Sequence, residues 1–153
     1  MNGNAASMAY SEIGKRTKIS TSEAYASVRR LRNASLLNDA HRVLKRNARE
    51  FLVHGLRYAF PYRRKGDIVR GLPTAYAAPV ARAEFAVSGD VPVWACARGD
   101  VVGRSVEPLY RTAPEAAKED EKLYAWLALF DMLRGGRARE RKFAEQKLDE
   151  ALA

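Results

Sequence analysis

Apolar positions recur at helical spacing in the N-terminal part of the chain. Three of them fall at positions i, i+4 and i+7, namely Ala24, Val28 and Leu31. This stripe predicts an amphipathic helix with one buried face. The helix is expected to span residues 20–33, because Ser20 and Glu23 have the spacing of a capping box at a helix start.

A shorter helix is predicted immediately before this one. Ser11 suits its N-cap, and the helix is expected to end near Lys18. Ile19 then supplies the apolar residue that a short turn between two helices buries, so the two segments predict a helix-turn-helix. Such pairs normally follow another helix, which here is expected to be very short, supplied by another subunit, or encoded upstream of residue 1.

The next helical pattern covers residues 42–58 and ends before Pro61, with Asn47 as a candidate N-cap. Between Leu37 and Arg42 there is no long alternation of apolar and polar residues. The wing of a winged helix is therefore expected to be missing or reduced to a turn.

The segment from Asp67 to Tyr110 is irregular and β-like, since glycine and proline interrupt it repeatedly. Within it, residues 93–97 and Val101–Val102 flank the tripeptide at 98–100, which predicts a hairpin. The basic run at 63–65 is expected to lie in a loop, where it could provide a further phosphate contact.

Helical spacing returns near the C-terminus. A helix start is indicated by Thr112, Pro114 and Glu115. The helix continues with an apolar stripe of five residues, Leu123, Trp126, Leu127, Phe130 and Leu133. It is expected to end at Gly135-Gly136, and a last helix follows with one apolar side formed by Ala138, Ala144, Leu148 and Leu152.

These C-terminal helices allow two interpretations. Their apolar side chains could pack onto the chain's own core, or they could form an interface between two copies. The sequence leaves both open. We expect a homodimer, because the stripe is larger than a short helix needs and regulators of this size commonly bind two half-sites as dimers.

The net charge of +9 is unevenly distributed along the chain. Residues 1–65 contain 14 Lys and Arg against 4 Asp and Glu, a net of +10, whereas residues 66–153 contain 13 against 14, a net of −1. A basic excess around the predicted helix-turn-helix favours a polyanionic partner. We therefore expect a DNA-binding region at 1–65 and, at 66–153, an irregular β segment with C-terminal helices.

The expected fold class is mainly α with a small irregular β portion. In this fold a helix-turn-helix, with a reduced winged-helix character, precedes the C-terminal helices. The first eight residues lack the basic start and apolar run of a signal peptide. No apolar segment approaches the ~20 residues that span a bilayer. We expect a cytoplasmic protein without a membrane partner.

Neither a catalytic site nor a metal site is predicted. His41 and His54 have no zinc-ligand spacing around them, and Cys96, the only cysteine, has no obvious activating partner. Asp131 and Arg134 are spaced for an i, i+3 salt bridge. Phosphate-binding and nucleophile-elbow motifs do not occur. We therefore expect no enzyme activity, no cofactor and no metal.

The predicted helix at 20–33 has the side-chain distribution of a DNA-reading helix. Small polar residues near its start can reach base edges in the major groove, while arginines near its end can contact phosphates. Its candidate contact residues are Ser20, Thr21, Ser22, Tyr25, Ala26, Arg29, Arg30 and Arg32. Further candidate phosphate contacts are Lys15, Arg16, Lys18, Arg63, Arg64 and Lys65.

Two runs of this sequence resemble the helix-turn-helix of MarR-like bacterial transcriptional regulators. The first is Tyr-Ser-Glu-Ile-Gly at 10–14, and it continues through the second, Ser-Thr-Ser-Glu-Ala at 20–24. Segments at 54–61, 70–74 and 129–134 are similar to a little-studied group of small bacterial proteins described as MarR-like or winged-helix. The resemblance implies sequence-specific binding of double-stranded DNA by a transcriptional regulator, which we expect to be a repressor.

Two alternatives to this function stay open. The basic face could simply be the solvated side of an ordinary helix pair. The chain could also be an antitoxin-like protein that binds the product of a neighbouring gene. Binding of the isolated chain to DNA upstream of its own gene distinguishes a regulator from a pure protein partner.

Overall fold

The computed structural model describes residues 8–153 and contains two compact units, one up to Ala48 and the other from Arg49. About 54% of the described residues are helical, and they include a small sheet of three strands. The expected class, mainly α with a small β portion, is therefore confirmed at this level. The predicted functional division after residue 65 stays a prediction.

The first unit begins with two helices, α1 (Tyr10–Thr17) and α2 (Thr21–Asn33). Ala24 and Val28 of α2 are buried as predicted, whereas Leu31 is 40% exposed. Ser11 is not the N-cap of α1, because the helix already starts at Tyr10 and the carbonyl of Ala9 accepts its first backbone hydrogen bonds. The expectation of a missing preceding helix concerns residues that lie mostly outside the described range.

A tight turn follows α2. Leu37 and Val43 form a single antiparallel bridge, and the side-chain oxygen of Asn38 accepts from the backbone N–H groups of Ala40 and Arg42, each at 3.0 Å. An asparagine that bonds its own following backbone stabilises such turns locally. The structure thus places a turn where the sequence showed no long hairpin.

The helical pattern at 42–58 consists of three pieces, α3 (Lys45–Glu50), a π-helical segment (Phe51–Gly55) and α4 (Leu56–Ala59). The prediction that Asn47 is an N-cap is wrong. Asn47 lies inside α3, and its side-chain amide donates to the carbonyl oxygen of Ser35 at 2.8 Å.

The sheet contains β1 (Arg64–Pro73), β2 (Pro92–Ala95) and β3 (Val101–Val106). β1 is antiparallel to both other strands, so β2 and β3 are parallel to each other and each strand pairs with the remaining two. The predicted hairpin is therefore wrong. The predicted loop at 63–65 is also wrong in part, since Arg64 and Lys65 belong to β1, where Arg64 pairs with Val106.

Three helices complete the second unit, α5 (Ala113–Glu119), α6 (Glu121–Gly135) and α7 (Ala138–Leu152). The single helix predicted from Thr112 onward is interrupted at Asp120. The carboxylate of Asp120 accepts the backbone N–H of Leu123 at 3.0 Å and caps α6, which stabilises a new helix start there. The predicted break at Gly135-Gly136 and the last helix are confirmed.

The apolar stripe of α6 lies in the core of the second unit. Leu127 and Leu133 are 3% and 2% exposed and belong to two clusters of buried side chains, and Trp126 and Phe130 pack against the cluster that contains Leu133. On α7, Leu148 is 2% exposed and joins this core. Packing onto the chain's own core therefore accounts for the stripe, and the homodimer stays a prediction.

A buried polar network holds α6 to the sheet. Asp131 and Arg134 form the predicted i, i+3 salt bridge at 2.7 Å, and Arg134 also donates to the carbonyl oxygen of Glu107 at 2.9 Å. Asp131 accepts hydrogen bonds from the Thr74 hydroxyl at 2.6 Å and the Trp94 indole at 2.9 Å. Burial raises the pKa of Asp131, and its three partners oppose that shift. These polar groups are therefore engaged in contacts that stabilise the fold.

Candidate nucleic-acid interface

The turn between α1 and α2 depends on a glycine. A Cβ added to Gly14 would lie 2.8 Å from the carbonyl oxygen of Ile19, so a larger residue would push the turn away from α1. The backbone N–H groups of Lys18 and Ile19 both donate to the Gly14 carbonyl oxygen. Lys18 itself has a left-handed backbone, with φ of 60°. These contacts fix how α2 leaves α1.

The predicted start of α2 is confirmed. The hydroxyl of Ser20 accepts the backbone N–H of Glu23 at 3.1 Å, and it lies 3.1 Å from the hydroxyl of Ser22. The reciprocal half of the capping box is replaced, because the carboxylate of Glu23 bonds Arg30 instead. Ser20 is thereby used in capping, while Thr21 and Ser22 remain exposed on the first turn.

Aromatic side chains form one edge of the α2 surface. Tyr25 is 50% exposed, and its ring meets the ring of Tyr10 edge-to-face with centroids 5.2 Å apart. The hydroxyl of Tyr10 lies 3.5 Å from Nε2 of His41. Tyr10 was not predicted as part of this surface, because the contact joins two helices and has no local spacing. Tyr10 holds Tyr25 in place at the exposed face.

The three arginines of α2 differ in their surroundings. Arg30 pairs with Glu23 at 2.5 Å, and this contact is the first cause of a lowered pKa of Glu23. Arg32 pairs with Asp39 at 2.7 Å, which raises the pKa of Arg32. Arg29 is exposed and forms no ion pair with any of residues 8–153. Of the three, Arg29 is the one whose guanidinium is not already engaged by a carboxylate.

A concave surface of about 300 Å³ lies beside the end of α2. It is lined by Tyr10, Tyr25, Arg29, Arg32, Asn33 and Asp39. The site therefore combines ring edges, an amide and guanidinium groups, which are the groups that contact bases, sugars and phosphates. Asp39 was missed from the sequence, since it follows the helix in an exposed turn.

The other predicted contact residues are divided between the two units. In the first, Lys15 and Arg16 are exposed near the end of α1, and Ala26 is half-buried on α2. The run Arg63-Arg64-Lys65 is exposed but belongs to the second unit. The structure thus brings together the candidates at 20–32 on one helix and places the run at 63–65 in a different body.

Comparisons of the chain with protein-family models, with curated proteins and with solved structures find no match. The resemblance to MarR-like regulators therefore stays a prediction. Among residues 8–153, no group of three or more His, Cys, Asp and Glu side chains is placed to hold a metal ion. In the same range, no helix is both long enough and apolar enough to cross a membrane.

Proposed function

We propose that the first unit is a helix-turn-helix that binds double-stranded DNA sequence-specifically, and that the protein is a transcriptional repressor. The supporting observation is the exposure of Thr21, Ser22 and Tyr25 on the first turns of α2, a helix in which Ala24 and Val28 are buried. A recognition helix presents its N-terminal side chains to base edges in this way.

The dimensions of α2 suit the major groove. Its 13 residues correspond to a length of about 20 Å, and the groove is about 12 Å wide and admits one α-helix. The hydroxyls of Thr21 and Ser22 can donate to or accept from base edges. The half-exposed ring of Tyr25 can contact the apolar thymine methyl group.

The charge of the first unit supports contacts with the DNA backbone. Residues 8–48 contain nine Lys and Arg against three Asp and Glu, a net of +6. Arg29 on α2 and Lys15 on α1 are both exposed and form no ion pair within the described residues. In this proposal they neutralise phosphates on either side of the groove. Such contacts raise affinity for every sequence and make it dependent on salt.

The turn between Leu37 and Val43 takes the place of a wing in this proposal. It is closed by one bridge and by Asn38, and it carries the exposed side chain of Arg42. A short turn with one cation can contact a phosphate beside the groove without reading its sequence. The domain is thus a reduced winged helix.

The proposal is tested by fluorescence anisotropy with the full chain and a labelled duplex from the region upstream of its gene. Binding should persist in an excess of unlabelled random-sequence duplex. Repeating the titration at two salt concentrations should give a log–log slope of about −0.9 for each phosphate contacted. Absence of duplex binding at low salt would contradict the proposal.

Three alanine variants test the base-reading face separately, Thr21→Ala, Ser22→Ala and Tyr25→Ala. Each should reduce the preference for the upstream duplex over random duplex by about 1–3 kcal/mol if it removes a base contact. Arg111→Ala is the control, because Arg111 is an exposed residue of the second unit and does not belong to α2. Circular dichroism confirms that each variant is folded. Unchanged preference in all three would place the reading face elsewhere.

The antitoxin-like function is the alternative that the same experiment distinguishes. It predicts that the isolated chain leaves the upstream duplex unbound and instead forms a complex with the product of a neighbouring gene. Binding to both would indicate an antitoxin that also regulates its own gene. Binding to DNA alone favours the regulator.

A further inference from the structure

The second unit contains a cavity of about 480 Å³ that the proposed DNA contact does not use. Its wall is built from strands β1 and β3, from the segment between β1 and β2, and from the start of α7. Cavities of roughly 300–1,000 Å³ are typical of sites for small molecules. The side chains of the wall indicate which class of molecule fits.

Two guanidinium groups at this cavity have no carboxylate partner. Among its charged residues, Asp90 is paired with Arg104 at 2.6 Å, and the carboxylate of Glu140 accepts the backbone N–H of Arg137 at 2.6 Å. The side chains of Arg64 and Arg137 form no ion pair with the part of the chain that the structure describes. Both can therefore bind an anion without first losing an ion pair.

The wall of this cavity also contains a serine hydroxyl. Ser105 on β3 is only 5% exposed and lines the wall, and its hydroxyl forms no hydrogen bond with residues 8–153. A hydroxyl of a cavity wall that has no protein partner can donate a hydrogen bond to an oxygen of a ligand. The hydroxyl of Tyr62, on a half-buried side chain of this wall, likewise has no such partner there.

The rest of the wall is partly apolar. Phe85 and Pro92 contribute apolar surface, and the ring of Tyr76 lies beside them with its hydroxyl bonded to the carbonyl oxygen of Asp90. Mixed walls of this kind hold the body of a ligand by apolar contact and orient it by a few polar groups. The cavity therefore suits a molecule with both a planar apolar part and an acidic part.

We propose that this cavity binds a small organic anion with a planar apolar body. Its acidic group, a carboxylate or a phosphate ester, pairs with the guanidinium groups of Arg64 and Arg137. The Ser105 hydroxyl donates to one of its oxygens, and Phe85 contacts its apolar body. Arginine suits this role because its planar group donates two parallel hydrogen bonds to carboxylate or phosphate oxygens.

The test uses the full chain and the fluorescent anion 8-anilinonaphthalene-1-sulfonate as the probe. The probe should bind with one site per chain. Arg64→Ala and Arg137→Ala should each weaken its affinity about tenfold or more, because hydrogen bonds to charged groups are among the strongest in proteins. Ser105→Ala should weaken it several-fold on the same grounds. Arg111→Ala is the control for net charge and should leave the affinity unchanged.

Two further measurements test whether the probe binds in this cavity and which acidic group the cavity prefers. Ser88→Trp fills the cavity from an exposed position of its wall and should abolish binding while the far-ultraviolet circular dichroism stays the same. Competition with benzoate and with phenyl phosphate shows which acidic group is preferred. Displacement by either supports the proposal. It is overturned if neither displaces the probe, or if the Arg64, Arg137 and Ser105 variants bind it as tightly as the Arg111 control.

Discussion

At the scale of single residues, the acidic neighbours of α2 determine which cations are available to a polyanion. Arg30 is held by Glu23 and Arg32 by Asp39, while Arg29 has no such partner within the described residues. Exposed ion pairs of this kind contribute little to stability, and they can be exchanged for another anion. In the proposed complex with DNA, each carboxylate would compete with a phosphate for its arginine.

This competition predicts that substitutions on α2 can either weaken or strengthen DNA binding. Arg29→Ala should weaken binding to every duplex and make the log–log salt slope shallower by about 0.9, because one phosphate contact is lost. Glu23→Gln should strengthen binding, because it releases Arg30 and removes a negative charge from the DNA-facing surface. Both are measured by anisotropy titrations at several salt concentrations.

Glu12→Gln is the matched control for Glu23→Gln. Glu12 is an exposed residue in the first turn of α1, so its substitution changes the net charge of the same unit by the same amount. If both variants strengthen binding equally, net charge alone explains the gain. In that case the pairing of Glu23 with Arg30 does not limit DNA binding.

At the scale of elements, local signals predicted the start of α2 and the end of α6 but not the caps of α1 and α3, and they predicted pairing over long separations poorly. Ser20 caps α2 as its spacing with Glu23 indicated, since a cap needs only neighbours along the chain. Asp120 was overlooked as a cap because it lies in an acidic, helix-favouring run. β2 and β3 are parallel because both pair with β1, which lies some twenty or more residues earlier in the chain. The pattern between residues 93 and 102 therefore could not predict the direction of this pairing.

The same limit applies to the candidate site. The polar face of α2 could be read in part from the helical period, because Ala24 and Val28 are buried as predicted whereas Leu31 of the same stripe is exposed. The pairing of Arg32 with Asp39 could not be predicted from the sequence, since it depends on the path of the turn that follows α2. The cavity of the second unit was likewise invisible, because its wall combines residues from Tyr62 to Glu140.

The stripe on α6 provides a prediction at this scale. Leu127 is 3% exposed and packs among buried residues of the second unit, so Leu127→Ala should lower the free energy of unfolding by about 2–5 kcal/mol. Urea unfolding followed by circular dichroism measures this loss. The molecular mass from light scattering, taken under native conditions, should be the same as that of the unsubstituted chain. A change of mass with little loss of stability would instead assign the stripe to an interface between two copies.

At the scale of the whole molecule, the proposed function requires one small unit to make enough contacts for a specific DNA site. A single recognition helix reads only a few base pairs, and regulators of this kind commonly double their contacts through a two-fold dimer that binds half-sites about 34 Å apart. With the α6 stripe committed to the core, a homodimer would have to use another surface.

We therefore predict that the chain, of 17.1 kDa, has twice that mass at micromolar concentration and that two copies bind one duplex. Light scattering gives the first quantity, and an anisotropy titration above the dissociation constant gives the second.

The upstream duplex should then contain two inverted half-sites about 10 base pairs apart, because the symmetry of the protein is imposed on its site. Inserting five base pairs between the half-sites rotates one by about half a turn and should abolish specific binding, whereas inserting ten should restore much of it. A monomeric mass with one chain per duplex, and equal binding to both insertions, would show that each copy acts alone.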